Sequence, residues 1–224
     1  MNIGFLQNNQ VIVPNGLVTH FRFNEGTGAT LYDTSTFQNH AVLAGSYAML
    51  QSGTKRGFAM EFYDTSAYAD TGRFIPNMPN GSAGSYCLWF KCSAATNNDV
   101  IMSNGNWSTD RNGTTIAESA GKFYFEIADG VNRTLFSPTF MITGSVWNHC
   151  VFTWDTANIK AYINGIYHSG AAQGRPYVGN VYPLRLGRDG STTYRLRTGS
   201  LDDVRVYNRA LNPEEVYMIY TGTS

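Results

Sequence analysis

The chain has 224 residues, of which 14% are charged and 14% aromatic, and it contains 23 glycines. Lysine plus arginine equal aspartate plus glutamate at 16 each, so the formal net charge is zero, which argues against a basic nucleic-acid-binding surface and an acidic tail. No apolar run approaches the roughly eighteen residues of a membrane-spanning helix, so we expect no membrane insertion.

Residues 1–15 are predicted to form a polar arm ahead of the folded domain. A short apolar run, Val11 to Val13, ends at Pro14. The arm lacks the basic and apolar regions of a secretory signal. Two explanations stay open: Met1 was added to an expressed fragment, or the protein belongs to a virion that leaves its host by lysis. We expect a location outside the cell or on a virion surface.

Short segments of alternating apolar and polar residues follow from residue 16 onward, as in strands with one buried face. Turn signals such as Asp129-Gly130 separate them. About a dozen such segments predict an all-β, two-sheet antiparallel β-sandwich. One short helix is predicted at the C-terminus, from about Pro213 to Tyr220, with Asn212 as its N-cap.

The segment from Gly199 to Tyr207 predicts a strand that places Asp202 on one face with Val204 and Val206. We therefore expect the Asp202 carboxylate at or near the buried side. A carboxylate there needs hydrogen bonds, a charged partner or a metal ion.

Sulfur and indole side chains are predicted to be mainly structural. The three cysteines have no framework spacing and predict free buried thiols, although a Cys87–Cys150 disulfide stays open. The tryptophans at 89, 147 and 154 lie in predicted strands, so we expect them in the core.

Seven segments resemble, in the same order, the laminin-G-like subgroup of concanavalin A-like lectin/glucanase domains. They are GLVTHFRFNEGTGATLYDTSTFQNHAVL (16–43), GFAMEFYDTSAYAD (57–70), SYCLWFK (85–91), WNHCVFTWD (147–155), AYINGIYHSG (161–170), PLRLGRDG (183–190) and GSLDDVRVYNRALNPEEV (199–216). The resemblance covers roughly residues 16 to 220. It implies a concanavalin A-like jelly roll over residues 16–224, and it says little about function because such folds host many functions.

The resemblance also implies one structural calcium ion shared by an N-terminal loop and the C-terminal strand. Carried onto this chain, its ligands are Asp33, Asn39 and Asp202, whose oxygens suit Ca²⁺. Where the family often has glycines, this loop has residues 36–38, Thr-Phe-Gln, which departs from the pattern. The alternative is that Asp33 caps a turn and Asp202 accepts backbone hydrogens. If calcium binds, a chelator should lower the melting temperature.

No residue pattern predicts catalysis, and we expect no enzyme. The paired carboxylates of the glucanase relatives, Glu-x-Asp-x-x-Glu, are absent. The nearest pair is Glu126 with Asp129, and Asp129 is better explained by its Asp-Gly hairpin. The four histidines have no metal-ligand spacing.

Two polar loops are the best candidates for ligand binding. Their residues offer an aromatic face for sugar C–H groups and planar polar groups for hydroxyls: Trp107, Asp110 and Arg111 in one loop, and Arg188, Asp189 and Tyr194 in the other. They predict a non-catalytic adhesion module that binds a glycan or a surface receptor, for example on a phage virion. The alternative is a decoration protein of a viral particle or larger assembly, whose arm adds a strand to a neighbouring subunit.

Overall fold

The computed structural model describes residues 15–50, 57–64, 66–92, 98–106, 112–140, 142, 144–179, 181–191 and 194–222. The predicted arm therefore lies outside the described residues, apart from Asn15. Among the described residues there are sixteen strands and one helix. They are β1 (Leu17–Phe21), β2 (Thr30–Leu31), β3 (Ala41–Ala44), β4 (Tyr47–Leu50), β5 (Ala59–Phe62), β6 (Tyr68–Asp70), β7 (Gly84–Lys91), β8 (Asp99–Ser103), β9 (Asn112–Ser119), β10 (Lys122–Asp129), β11 (Arg133–Phe136), β12 (Asn148–Trp154), β13 (Asn158–Ile163), β14 (Ile166–Ala172), β15 (Arg185–Leu186), β16 (Gly199–Tyr207) and α1 (Pro213–Thr221).

The strands form two antiparallel eight-stranded sheets. The first sheet has the order β14-β13-β12-β7-β16-β5-β4, with β1 also paired to β16. The second has the order β11-β10-β9-β8-β15-β6-β3-β2. The side chains between the sheets form the larger hydrophobic core. This arrangement confirms the predicted two-sheet sandwich with one short C-terminal helix.

Strand β7 shows why the sequence alternation specifies this packing. Tyr86, Leu88 and Phe90 belong to the core between the sheets, while Cys87 belongs to a second apolar cluster that also holds residues of α1. Trp89, on the same face as Cys87, stacks on Tyr220 of the helix with ring centroids 5.6 Å apart. The first sheet is therefore covered on both faces, by the second sheet and by α1.

The helix α1 begins as the sequence predicts. The Asn212 side chain accepts a hydrogen bond from the Glu215 backbone N–H at 2.9 Å, and the Glu215 carboxylate accepts one from the Asn212 backbone N–H at 2.9 Å. This capping box satisfies two backbone donors that the first turn of a helix leaves open. Arg209 donates to both carboxylate oxygens of Glu215, at 2.6 and 2.8 Å.

The thiol prediction is confirmed and one tryptophan prediction is wrong. All three cysteines are free and buried. Cys87 lies opposite Val151, so Cys150 faces the other side of the sheet. Trp89 and Trp154 are buried, but Trp147 precedes β12 and is only half-buried. The Lys91 ammonium group lies 5.2 Å from the centroid of its ring, which explains how this indole stays partly exposed.

Strand β16 contains a bulge that changes the predicted faces. Asp202 lies opposite Trp89 and Arg205 lies opposite Cys87, so β16 has an extra residue between these pairs. Asp203 sits there with a φ of 48°, in the left-handed region. Leu201, Val204 and Val206 face the core, whereas Asp202 shares the outer face with Trp89. Asp202 is buried as predicted, but on the opposite face of the sheet from the valines.

A buried charge network joins β1 to β16 at the bulge. Arg205 donates from Nε to Asp203 Oδ1 at 2.9 Å and from Nη2 to Asp203 Oδ2 at 3.1 Å. His20 Nε2 lies 2.8 Å from Asp203 Oδ1, and His20 is paired directly opposite Arg205. The Asp203 and Arg205 side chains are each 5% exposed. This bidentate pairing gives both carboxylate oxygens a hydrogen bond, which a buried ion pair requires.

The pKa values of this network fix its protonation near neutral pH. Burial alone would raise the pKa of Asp203, but the hydrogen bond with His20 and the charge of Arg205 hold it well below its ordinary value. Burial lowers the pKa of His20; the hydrogen bond to Asp203 opposes that shift and the charge of Arg205 adds to it. Because ionised Asp203 can only accept, neutral His20 carries its proton on Nε2.

Arg205→Ala is expected to destabilise the fold by about 3–5 kcal/mol, because it leaves the Asp203 carboxylate buried without its cation. Urea unfolding followed by tryptophan fluorescence measures the loss. The exposed Arg22 provides the control, since Arg22→Ala should stay within about 0.5 kcal/mol of the unchanged protein. An equally small loss for Arg205→Ala would contradict a stabilising role for the network.

The pKa shift of His20 also predicts a pH dependence of stability. Since the folded-state pKa is lowered, the unfolded chain takes up the proton first as the pH falls through the ordinary histidine value of about 6.5. The free energy of unfolding should therefore have its full value above pH 7 and decrease as the pH falls toward 5. His20→Gln, which keeps a donor for Asp203, should show a shallower decrease in urea unfolding over that range. An unchanged slope in the variant would assign the effect to other groups.

Candidate functional site

The outer face of the second sheet carries a continuous row of polar side chains. Directly opposite residues share a face in antiparallel sheets, and one such row crosses all eight strands. From β11 to β2 it consists of Leu135, Glu126, Thr115, Ser103, Arg185, Asp70, Val42 and Thr30. In the middle of the row Glu126, Thr115 and Ser103 are buried. The polar side chains of the row that solvent reaches are the half-buried Arg185, Asp70 and Thr30.

Two ion pairs lie in or next to this row. Arg185 Nε lies 2.7 Å from Asp70 Oδ2, and both side chains are partly exposed. Arg133 Nη1 lies 2.9 Å from Glu126 Oε2, and that carboxylate is buried. Between them, the hydroxyl groups of Ser103 and Thr115 lie 2.9 Å apart. These contacts fix the polar side chains in place, which lowers the conformational entropy lost on binding a ligand.

The two loops predicted to bind a ligand start from neighbouring positions beside this row. The Gly190 backbone N–H donates to the Gly105 carbonyl at 2.7 Å. Tyr182 contacts both loops. Its hydroxyl is 3.4 Å from Asn106 Nδ2 in one loop, and its ring occupies the space where a side chain at Gly190 of the other loop would extend. Gly105 and Asn106 lead directly into the loop that holds Trp107, Asp110 and Arg111, and those three residues lie outside the described part of the chain.

The second predicted loop is described, and its three candidate residues differ in role. Asp189 is fully buried; its Oδ1 accepts from the Ser191 hydroxyl at 2.7 Å and its backbone N–H donates to the Tyr194 carbonyl at 3.3 Å. Asp189 therefore shapes the loop. Arg188 and Tyr194 are half-buried and keep surface for a ligand.

Tyr68 is part of this site and was not predicted from the sequence. The Arg188 guanidinium carbon lies 4.4 Å from the centroid of the Tyr68 ring, a cation–π contact that holds the arginine against β6. The only sequence signal was the alternation in Tyr68-Ala69-Asp70, which places Tyr68 and Asp70 on one face of the strand.

The predicted calcium ligands are not arranged as a preformed metal site. Asp33 Oδ1 accepts from the backbone N–H groups of His20 and Ser35, each at 2.8 Å. Its Oδ2 accepts from the Ser35 hydroxyl and the Asn39 backbone N–H, each also at 2.8 Å. These four bonds match the acceptor capacity of a carboxylate, so Asp33 does not fit a calcium ligand without losing one of them.

The other two predicted ligands do not complete a site with Asp33. The Asn39 amide is buried, and neither its oxygen nor its nitrogen has a hydrogen-bond partner among the described residues. Asp202 lies opposite Trp89 of β7, whereas Asp33 forms a bridge with Phe21 of β1, on the other side of β16. The described residues contain no group of three or more carboxylate, imidazole or thiol side chains that could hold a metal ion. Calcium binding stays a prediction.

The nearest carboxylate pair to a glycosidase motif is engaged in structural contacts. Asp129 Oδ1 accepts from the backbone N–H groups of Val131 and Asn132 at 3.0 and 2.7 Å, so it holds the β10–β11 hairpin as predicted. Backbone hydrogen bonds from that turn lower the pKa of Asp129 below its ordinary value. Glu126 is paired with Arg133.

The part of the chain that the structure describes has no helix with the length and apolar character needed to cross a bilayer.

Two curated proteins resemble this chain over half of its length. It is 27% identical to the human adhesion G-protein coupled receptor D1 over 115 residues, which are 50% of this chain and 13% of the receptor. The bovine receptor of the same name is also 27% identical, over 114 residues. The chain thus spans a small part of these relatives.

Solved structures share the fold at low sequence identity. Domain 4 of an extracellular arabinanase from Geobacillus stearothermophilus, in complex with arabinotriose, has a TM-score of 0.68 and 18% identity, over 90% of this chain and 96% of that one. The binding domain of Paraclostridial mosquitocidal protein 1 has a TM-score of 0.71 and 16% identity, over 93% and 52%. The binding domain of botulinum neurotoxin DC in complex with SialylT has a TM-score of 0.74 and 12% identity, over 95% and 53%.

The matches to the two toxin proteins cover about half of each toxin domain. They show that this half has the same fold as the present chain. A laminin-G-type family model matches residues 64–217, which is more than half of the chain. The sandwich, its strand order and this match together identify the protein: the chain belongs to the concanavalin A-like lectin/glucanases superfamily.

Proposed function

We propose that this protein is a non-catalytic adhesion module that binds a glycan through the two loops beside the outer face of its second sheet. The observation that carries the proposal is the Gly190–Gly105 hydrogen bond, because it brings the bases of both predicted ligand loops together next to the polar row. A hydroxyl-rich ligand requires aromatic, guanidinium and amide groups on one surface, and the residues of these two loops offer all three kinds.

The relatives support the binding role in general terms. Several are binding domains by description, and one was solved with arabinotriose. Another botulinum neurotoxin DC structure was solved with rat synaptotagmin II, so a protein receptor is the second ligand class to test. A position outside the cell or on a virion remains part of the proposal, and it rests on the sequence argument alone.

Replacing the aromatic residues of the two loops should abolish or strongly weaken glycan binding. On a glycan array, we expect Trp107→Ala and Tyr194→Ala each to reduce binding at least about tenfold, which corresponds to roughly 1.4 kcal/mol. Tyr217→Ala is the matched control, because Tyr217 is 56% exposed on α1, which covers the first sheet.

Two outcomes would contradict glycan adhesion. If all three variants bind glycans equally well, the binding site lies outside these two loops. No glycan binding by the unchanged protein, together with loss of assembly on deletion of residues 1–15, would favour the decoration protein. Strand β14, an exposed edge of the first sheet with Ile166 69% exposed, could accept an added strand in that case.

Calcium binding by the Asp33 loop and Asp202 remains a separate proposal from the family resemblance. An ion that binds only the folded state raises its stability by mass action. Under the proposal, the melting temperature measured by calorimetry should be higher in excess Ca²⁺ than in EDTA, and Asp202→Asn should reduce the difference. Equal melting temperatures in the two buffers would contradict calcium binding, and the loop would then be stabilised by the hydrogen bonds of Asp33.

A further inference from the structure

Strand β14 lies at the end of the first sheet and has one open edge. Its residues 166–172, Ile-Tyr-His-Ser-Gly-Ala-Ala, pair with β13 on one side, and no strand in the described part of the chain pairs with the other side. Ile166, Tyr167, Gly170 and Ala172 are exposed. An open edge presents backbone N–H and C=O groups that can bond with a strand of another chain.

The other end strands of the two sheets are short, and β14 is not. Strand β2 has two residues and β4 has four, while β11 has four and begins with the charged Arg133. Strand β14 has seven residues and contains neither a charged side chain nor a proline, the usual protections of an edge. Its pairing with β13 shifts by one residue at His168, so the regular stretch begins at Ser169.

The hydrogen bonds to the β13 side show which backbone groups of β14 face outward. The Gln173 N–H, just after the strand, donates to the Ala157 carbonyl at 2.8 Å, so the backbone groups of Gln173 point inward. Because these groups alternate in direction along a strand, those of Ala171 also point inward, whereas those of Gly170 and Ala172 point outward. The outward groups are therefore placed symmetrically about Ala171.

This symmetry lets β14 pair with an identical strand. Antiparallel pairing about a two-fold axis at Ala171 sets Gly170 opposite Ala172 of the second copy, and each such pair exchanges two backbone hydrogen bonds. The side chains here are too small to obstruct the approach. A Cβ at Gly170 would lie 2.9 Å from the Ile159 carbonyl oxygen and 3.1 Å from the Tyr167 hydroxyl, so this position favours glycine. The formal net charge of zero adds no repulsion between copies.

We propose that two copies of this chain form a dimer in which β14 pairs antiparallel with β14 of the second copy about a two-fold axis at Ala171. The first sheet then continues from one copy into the other. The exposed Ile166 and Tyr167 flank the paired stretch and add apolar area to the contact. The dimer does not depend on what the ligand loops bind. Under the proposed function, it presents two pairs of loops, which strengthens attachment to a surface that repeats the ligand.

Cysteine cross-linking of the full chain tests the register. At the axis, the Cα atoms of residue 171 in the two copies would be about 4.5 Å apart, within reach of a disulfide. Those of residue 172 would be about 9 Å apart, which is out of reach. Under mild oxidation, Ala171→Cys should give at least about tenfold more disulfide-linked dimer than Ala172→Cys. The second variant is a strict control because Ala172 is more exposed than Ala171, and the native cysteines are buried.

Sedimentation velocity tests the association itself. The unchanged protein should contain a fraction of dimer that rises with concentration. Ala172→Pro removes an outward N–H and no hydrogen bond to β13, so it should be monomeric at concentrations where the unchanged protein is dimeric. Ala172→Ser keeps the N–H and is the matched control, which should dimerise as the unchanged protein does. Melting temperatures measured at a concentration where all three are monomeric show whether the variants are folded.

Three results would overturn the inference. The first is an unchanged protein that sediments as a monomer at every concentration. The second is an equal yield of disulfide-linked dimer from Ala171→Cys and Ala172→Cys, which would exclude the axis at Ala171. The third is a dimer that survives Ala172→Pro but is lost on deletion of residues 1–15, which would assign the contact to the arm. Glycan binding by a monomeric protein would leave the proposed function in place in each case.

Discussion

The ion pair between Asp203 and Arg205, completed by His20, is the contact on which the first sheet depends. Strand β16 pairs with β7 on one side and with both β5 and β1 on the other, so its path through the sheet decides where three other strands lie. The bulge at Asp203 bends this path. An isolated carboxylate at that position would be costly to bury, and the two donors from Arg205 make the bulge tolerable.

The outer faces of the two sheets differ in what covers them. One face of the first sheet packs on α1 and the other packs on the second sheet. On the outer face of the second sheet, the hydroxyls of Ser103 and Thr115 and the two ion pairs are held by cross-strand neighbours. Under the proposed function, the half-buried Arg185–Asp70 pair beside the two loops would be ordered before a ligand binds.

Much of the fold could be predicted from the sequence, because strand alternation and turn residues act locally. The faces of β7 and the cap of α1 are examples. The bulge could not be predicted, since Asp203 adopts a positive φ without the glycine that usually signals one. In the candidate site, loop composition predicts Arg188, and its role in binding stays a prediction. Sequence patterns do not indicate Tyr68, because it contacts Arg188 from a strand more than a hundred residues earlier in the chain.

The residues just before β1 are held by the turn between β16 and α1. Arg209, just after β16, donates to the Asn15 carbonyl at 2.8 Å, and the Asn208 backbone N–H donates to the Gly16 carbonyl at 2.8 Å. Arg209 also donates to Glu215 in the first turn of α1, so this one arginine ties the entry to β1 to the start of the helix. Motion of the segment before β1 is therefore coupled to the helix that covers the first sheet.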